Sequence, residues 1–203
     1  MPKKFYYAVR KGKVVGVLKT WDECKDSVHG FPGAEYKKFT TLKEAKAYVS
    51  REEVEIPEEK IVVPENTVYA YVDGSFNATD KKYGYGVVMI YPDGTEKEFS
   101  GFGNNEDALV SRNVSGELLG SMVAIKEAVS NGVKNILIFH DYKGIEKWIT
   151  GEWQANAPVS IAYKDFVDKF KDRINIKFKK VAAHTGDKYN EIADVLAKEG
   201  AGI

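Results

Sequence analysis

The stretch Val68-Tyr69-Ala70-Tyr71-Val72-Asp73 is an apolar run that ends in a carboxylate. Its aromatic and β-branched residues are typical of a buried strand. Further along the chain, Ile136-Leu137-Ile138-Phe139-His140-Asp141 repeats this pattern and also ends in an acid. Ligands of α/β proteins usually bind at the carboxyl ends of such strands. The two runs therefore predict a sheet in which Asp73 and Asp141 lie where ligands bind.

The residues around these two runs predict further strands and several helices. The predicted strands are 84–91, 96–102 and 174–181, the first two joined by a turn at Pro92-Asp93-Gly94-Thr95. The predicted helices are 110–129, 143–150, 159–173 and 191–199. A hairpin followed by alternating helices and strands indicates an α/β fold with a mixed sheet and helices on its faces.

The helix predicted at 110–129 carries Glu117 on a face of small residues. That face also holds Gly120, Ser121, Ala124 and Ala128. Small side chains allow a helix to approach a sheet closely, so we expect Glu117 to lie near the strands. Asp194, in the last predicted helix, follows Asn190 by one turn and shares its face.

Residues 1–50 predict a separate small domain. Two strands over 5–18 form a hairpin, and a third strand is predicted at 35–39. Thr20 with Glu23 and Thr41 with Glu44 have the spacing of helix capping boxes. The order is therefore ββαβα, with a three-stranded sheet.

Charge divides the chain in the same way. Residues 1–50 hold 11 lysines and arginines against 5 acids, whereas residues 66–203 hold 17 against 19. Residues 51–65 are acidic and contain two prolines, which is typical of a linker. A basic module beside a larger, mildly acidic one indicates two domains with different functions.

Composition limits the cellular setting. The chain has 203 residues and one cysteine, Cys24, which cannot form an internal disulfide. No apolar run approaches the ~18 residues of a membrane span, and the N-terminus lacks an apolar signal segment. We expect a cytoplasmic monomer with no membrane association and no obligate protein partner.

Asp73, Glu117, Asp141 and Asp194 suggest metal chemistry if they meet in space. A carboxylate at the tip of a buried strand is costly unless a cation compensates its charge. Mg²⁺ prefers carboxylate and water oxygens, and paired ions stabilise the attacking and leaving oxygens of phosphodiester cleavage. Taken singly, however, each acid could equally be a turn former or helix cap.

Several motifs, in this order, resemble type 1 ribonuclease H from about Thr67 to the C-terminus. They are Asp73-Gly74-Ser75, Asn113-Val114-Ser115-Gly116-Glu117, Asp141, His184-Thr185-Gly186, and Asn190-Glu191 with Asp194. Residues 3–49 resemble the small hybrid-binding, viroplasmin-like domain that precedes such enzymes. The segments that carry this likeness are 5–10, 20–24, 31–34 and 36–39. The fold implied is a ribonuclease H-like mixed five-stranded sheet with flanking helices, preceded by the small domain.

This resemblance implies an endoribonuclease that hydrolyses the RNA strand of RNA–DNA hybrids and leaves 5′-phosphate and 3′-hydroxyl ends. Two Mg²⁺ ions, or Mn²⁺, would be held by the four acids, one activating water and the other stabilising the leaving oxygen. His184 matches the family's mobile histidine, which assists proton transfer or product release. Glu191 matches an acid near the second metal.

The same resemblance implies two nucleic-acid surfaces. In the catalytic domain, Gly74, Ser75 and Asn113 match groups that approach the RNA minor groove, where 2′-hydroxyls distinguish RNA from DNA. In the small domain, lysines offset phosphate charge and aromatic rings pack on sugars or bases. The residues expected to do this are Tyr7, Trp21, Tyr36, Lys37 and Lys38.

Two features depart from the family pattern. The basic, tryptophan-rich protrusion of some members is replaced by the short segment 151–158, which lacks lysine and arginine. Tyr142 follows Asp141 where many relatives have serine, and the sequence offers no physical reason for it. Two alternatives stay open: an inactive hybrid-binding protein on this fold, and a DNA-directed nuclease of the wider class, such as an integrase or transposase.

Overall fold

A computed structural model of the chain describes residues 5–50, 61–181 and 187–203. The chain divides into two compact units between Lys60 and Ile61. His184 and positions 51–60 of the predicted linker lie outside the described residues. None of the described helices is long and apolar enough to cross a membrane.

The N-terminal unit is a three-stranded antiparallel sheet with two helices. Its elements are β1 (Tyr6–Lys11), β2 (Gly16–Leu18), α1 (Trp21–Val28), β3 (Glu35–Phe39) and α2 (Leu42–Ser50). The strand order is β2-β1-β3. Both capping boxes form, because Thr20 Oγ1 accepts from the Glu23 amide at 3.2 Å and Thr41 Oγ1 from the Glu44 amide at 3.3 Å. The predicted ββαβα order is confirmed.

The second unit is a mixed five-stranded sheet with helices, as predicted. Its elements are β4 (Thr67–Asn77), β5 (Lys82–Ile90), β6 (Glu96–Gly103), α3 (Glu106–Leu109), α4 (Asn113–Ser130), β7 (Asn135–His140), α5 (Gly144–Thr150), α6 (Pro158–Asp168), β8 (Asn175–Lys180) and α7 (Lys188–Ala201). The strand order is β6-β5-β4-β7-β8. The strands β4, β7 and β8 are parallel, and β5 runs antiparallel to both of its neighbours.

Alternating side chains form two cores, one on each face of this sheet. On one face, Val72 and Ile138 pack with Leu118 of α4. On the other face, Tyr71 and Phe139 pack with Ala193 of α7. Helices α4 and α7 therefore cover opposite faces, and the small residues predicted on α4 are buried against the strands.

The structure differs from the sequence prediction before α4. The predicted helix at 110–129 begins only at Asn113, and the short helix α3 precedes it. Arg112 separates the two helices with a φ of 50°, in the left-handed region that non-glycine residues rarely occupy. Chain direction changes there, so the two helical segments cannot be one continuous helix. The predicted stop at Asn131-Gly132 is confirmed, since α4 ends at Ser130.

Candidate active site

Asp73 and Asp141 are brought together by the parallel pairing of β4 with β7. The register pairs Tyr71 with Phe139, and two further residues on each strand lead to Asp73 and Asp141. Because side chains alternate along a strand, Asp73 shares the face on which Tyr71 lies, and Asp141 directly follows the last residue of β7. The end of β7 and the point on β4 just beyond its pairing with β7 thus carry neighbouring carboxylates, while β4 itself continues to Asn77.

Glu117 reaches this pair because α4 packs directly on strand backbone. A Cβ at Gly74 would lie 2.1 Å from the Asn113 carbonyl oxygen and 2.4 Å from the Glu117 amide nitrogen. A Cβ at Gly116 would lie 2.0 Å from the Gly84 carbonyl oxygen. Only residues without a side chain permit this approach. The two glycines therefore set the distance between Glu117 and the strands.

Three of the four predicted metal ligands converge. One carboxylate oxygen each from Asp73, Glu117 and Asp141 lies within 4.8 Å of the others. Glu117 comes from the helix on one face of the sheet, whereas Asp73 continues the other face. The three acids meet where the pairing between β4 and β7 has ended and β7 stops at His140.

The electrostatics of Glu117 fit a cation. Its side chain is 2% exposed, and its Oε2 has no hydrogen-bond partner among the described residues. Burial, followed by the charges of Asp141 and Asp73, raises the pKa of Glu117 to about 9. A divalent cation would satisfy the orphaned oxygen and offset the repulsion of three carboxylates. The donor set, all oxygen, suits Mg²⁺ or a similar hard ion.

Asp194 and Glu191 lie on α7, outside this group of three. The Asp194 carboxylate accepts a 2.6 Å hydrogen bond from Lys198 Nζ, one helical turn further on. Glu191 is exposed in the first turn of the same helix. Their assignment to the metal site stays a prediction, as does the role of His184.

Two residues without a predicted role support the turn that carries Asp141. His140 is fully buried, and its Nδ1 lies 2.9 Å from the Tyr142 carbonyl oxygen, which can only accept. Burial lowers the pKa of His140, so a neutral ring donates from Nδ1. A Cβ at Gly144 would collide with the Tyr142 ring, which packs 5.7 Å from that of Trp148. Tyr142 thus forms an aromatic wall beside the acids.

The predicted minor-groove residues lie around the acids. Asn113 is exposed at the first position of α4, one helical turn before Glu117. Gly74 lies beneath this turn, and Ser75 follows it on β4, half-buried. Their contact with nucleic acid stays a prediction.

In the N-terminal unit, three predicted binding residues form one aromatic cluster. The Trp21 ring lies 5.7 Å from that of Tyr7 and 6.0 Å from that of Tyr36. Trp21 is 45% exposed and Tyr36 is 46% exposed, although both are large and apolar. Tyr36 lies on β3, and the same strand carries Lys37 and Lys38. An exposed aromatic platform beside cations is the arrangement that binds single nucleic-acid strands.

Both units match known families. Residues 5–49 match the family described as "Ribonuclease H1 N-terminal domain", and residues 65–202 match the family described as "RNase H". A ribonuclease H from Pseudoalteromonas translucida is 34% identical over 68% of this chain and 92% of its own length. Human ribonuclease H1 is 26% identical over 97% of this chain and 89% of its own length.

Solved structures agree on the fold. A ribonuclease H1 from Halobacterium salinarum superposes with a TM-score of 0.56 at 24% identity, over 67% of this chain and 98% of its own. The LC11 ribonuclease H1, solved with an RNA/DNA hybrid, gives 0.53 at 15% identity, over 65% of this chain and 97% of its own. The match of residues 65–202 to the RNase H family places this mixed sheet with clustered acids in a class of nucleases. The chain belongs to the ribonuclease H family, and it is a ribonuclease H enzyme with a ribonuclease H1-type N-terminal domain.

Proposed function

We propose that this enzyme hydrolyses the RNA strand of RNA–DNA hybrids with two divalent metal ions, Mg²⁺ or Mn²⁺, leaving 5′-phosphate and 3′-hydroxyl ends. The observation that carries the proposal is the convergence of Asp73, Glu117 and Asp141 around a buried, unpartnered carboxylate oxygen. The LC11 relative, solved with a hybrid, supports the choice of substrate.

The acids Asp73, Glu117 and Asp141 would hold one cation, and Asp194 would complete a second site beside them. When bound, the ions supply an activated water and neutralise the charge of the leaving oxygen. The protein's own contribution is orientation. Burial fixes Glu117, and Gly74 ties Asp73 to the first turn of α4. That turn presents the Asn113 amide, which can both donate to and accept from a 2′-hydroxyl.

The direct test is cleavage of an end-labelled RNA–DNA hybrid by the full chain. We expect cutting of the RNA strand with Mg²⁺ and none after chelation, because uncompensated carboxylates would repel the phosphate. Duplex DNA of the same sequence serves as the matched substrate and should stay intact. Product ends can be read by phosphatase sensitivity and polymerase extension. Cleavage of duplex DNA at a comparable rate would favour the DNA-directed alternative, and a failure to cut the hybrid would favour the inactive one.

The aromatic cluster of the N-terminal unit provides a second prediction. Trp21→Ala should raise the dissociation constant for the hybrid about tenfold, since packing of the indole ring on the sugars of the hybrid would bury apolar area worth about 1.5 kcal/mol. Leu42→Ala removes another exposed apolar side chain, from α2, and should leave binding unchanged. Fluorescence anisotropy with a labelled hybrid in EDTA measures both. Equal affinities of the two variants would mean that the cluster does not contact nucleic acid.

A further inference from the structure

Positive charge in the second domain is concentrated in one short segment. Residues 169–180 hold six lysines and arginines against one aspartate, whereas the whole of 66–203 holds 17 against 19. The segment leads into β8 and includes it. The rest of this domain therefore holds more acids than bases. The positive charge of β8 is an exception, and packing of the strand alone does not require it.

The lysines of β8 are displayed on an outer strand. β8 lies at the edge of the sheet, and its Ile176 and Phe178 point into the core beneath α4. Alternation places Lys177 and Lys179 on the opposite face, where both are exposed, and Lys180 is also exposed. These three residues form the β8 lysine strip.

The strip lies beside the acids. Lys179 pairs with Phe139 in the β7–β8 register, and its Nζ lies 5.3 Å from the centre of the Phe139 ring. Asp141 follows Phe139 by two residues and lies just beyond the end of β7. The Lys179 backbone is therefore about one strand spacing, ~4.8 Å, across the sheet and about two residues, ~6.6 Å, along it from Asp141. A phosphate next to the reacting one would lie within reach of the lysine side chain.

No carboxylate among the described residues forms an ion pair with the strip. Elsewhere in the domain, some half-buried lysines pair with acids, as Lys147 does with Glu152 at 2.6 Å and Lys97 with Glu127 at 3.3 Å. Neighbouring unpaired cations repel one another, and a polyanion lying across them would remove that repulsion.

We propose that the β8 lysine strip binds the sugar–phosphate backbone of the hybrid beside the active site. This inference rests on the proposed function and adds a substrate-contact surface to it. The strip lies on an edge strand and supplies positive charge. The short segment 151–158 has no lysine or arginine and cannot supply it. The strip's expected contribution is to affinity and not to the chemical step, because the lysines belong to β8 and not to the group of three acids.

The test replaces all three strip lysines with glutamine in the full chain. The matched control replaces Lys126, Lys134 and Lys164, which are equally exposed in the same domain. Lys126 and Lys164 lie on the helices α4 and α6, and Lys134 precedes β7 at the end remote from Asp141. Hybrid dissociation constants are measured in EDTA over a series of KCl concentrations, and steady-state cleavage is measured with Mg²⁺.

We expect the strip variant to bind the hybrid five- to thirtyfold more weakly. Its binding should also depend less on salt, because the slope of log K against log[KCl] becomes smaller by about 0.7–0.9 for each phosphate contact removed. KM should rise while kcat stays within twofold. The control variant should match the wild-type enzyme in both. If the strip variant keeps the wild-type slope and only its Mg²⁺ requirement changes, the lysines merely balance the acids and the proposal is wrong.

The two proposals fail in different ways. A wild-type enzyme that does not cut hybrid would refute the proposed function, even if the strip variant binds hybrid less tightly. A wild-type enzyme that cuts hybrid, with a strip variant of unchanged affinity and salt slope, would refute the strip alone.

Discussion

Asp73→Asn is expected to lower the rate of hybrid cleavage by about 10³-fold or more while hybrid binding persists. Loss of one group that stabilises transition-state charge typically costs ~10²–10³ in rate, and Asp73 would be a ligand of the proposed metal site. The substitution conserves shape. Asp73 Oδ1 accepts a 2.7 Å hydrogen bond from the Gly74 amide, and an asparagine oxygen can accept the same bond. The variant should therefore fold normally.

Asp93→Asn is the control for this experiment. Asp93 Oδ1 accepts a 2.9 Å hydrogen bond from the Thr95 amide, a comparable local contact in the turn between β5 and β6. Both variants lose one negative charge, but only Asp73 belongs to the acidic cluster. Single-turnover rates at saturating enzyme and anisotropy titrations separate catalysis from binding. An Asp73→Asn enzyme that cuts at the wild-type rate would show that the metal assignment is wrong.

The sequence predicted those parts of the site that depend on local pattern. The apolar run that ends in Asp141 reports the end of β7 directly, whereas β4 continues beyond Asp73 to Asn77, where it pairs only with β5. Both capping boxes of the small domain were also predictable, because each one joins two residues that are only three positions apart. Parallel pairing of the two runs then placed their acids together.

Contacts between distant segments were not predictable in this way. Nothing in the sequence marks Arg112 as the break between α3 and α4, because the break lacks glycine or proline and its left-handed φ depends on surrounding packing. The pairing of Asp194 with Lys198 is an exception, because residues four positions apart on a helix are neighbours. Val63, assigned to the linker by composition, is buried in the core beneath α7. The β8 lysines are exposed because β8 is an edge strand, and this position depends on the strand order of the sheet.

Tyr142 illustrates the same limit. The sequence shows a bulky residue beside an acid, but the reason lies in Gly144 and Trp148, which provide space and a packing surface for the ring. Burial raises the pKa of the Tyr142 hydroxyl, with Glu117 adding to the effect, so the phenol stays neutral beside the acids. A neutral aromatic wall excludes water without adding charge to the cluster.

The position of Glu117 depends on glycine at 116, and Gly116→Ala should disrupt both stability and catalysis. The added Cβ would lie 2.0 Å from the Gly84 carbonyl oxygen and 2.9 Å from the Gly74 Cα, which are backbone atoms of two sheet strands. Neither can rotate away, so α4 must shift. Overpacking of this kind costs about 3 kcal/mol or more, which corresponds to a fall in Tm of roughly 10 °C. A displacement of ~1 Å at Glu117 would cost about 10²-fold in kcat.

Gly120→Ala, one turn further along the same helix, tests whether the close approach of α4 at Gly116 is the cause. Its Cβ would meet Val87 Cγ2 at 3.4 Å and the Gly86 carbonyl oxygen at 3.5 Å, which are ordinary contacts. Alanine also favours a helix over glycine by about 1 kcal/mol, so Tm should stay unchanged or rise by a few degrees. Calorimetry and single-turnover cleavage of both variants decide the matter. Since the two substitutions are chemically identical, a Gly116→Ala enzyme as stable and active as Gly120→Ala would mean that close approach of α4 to β4 and β5 does not position Glu117.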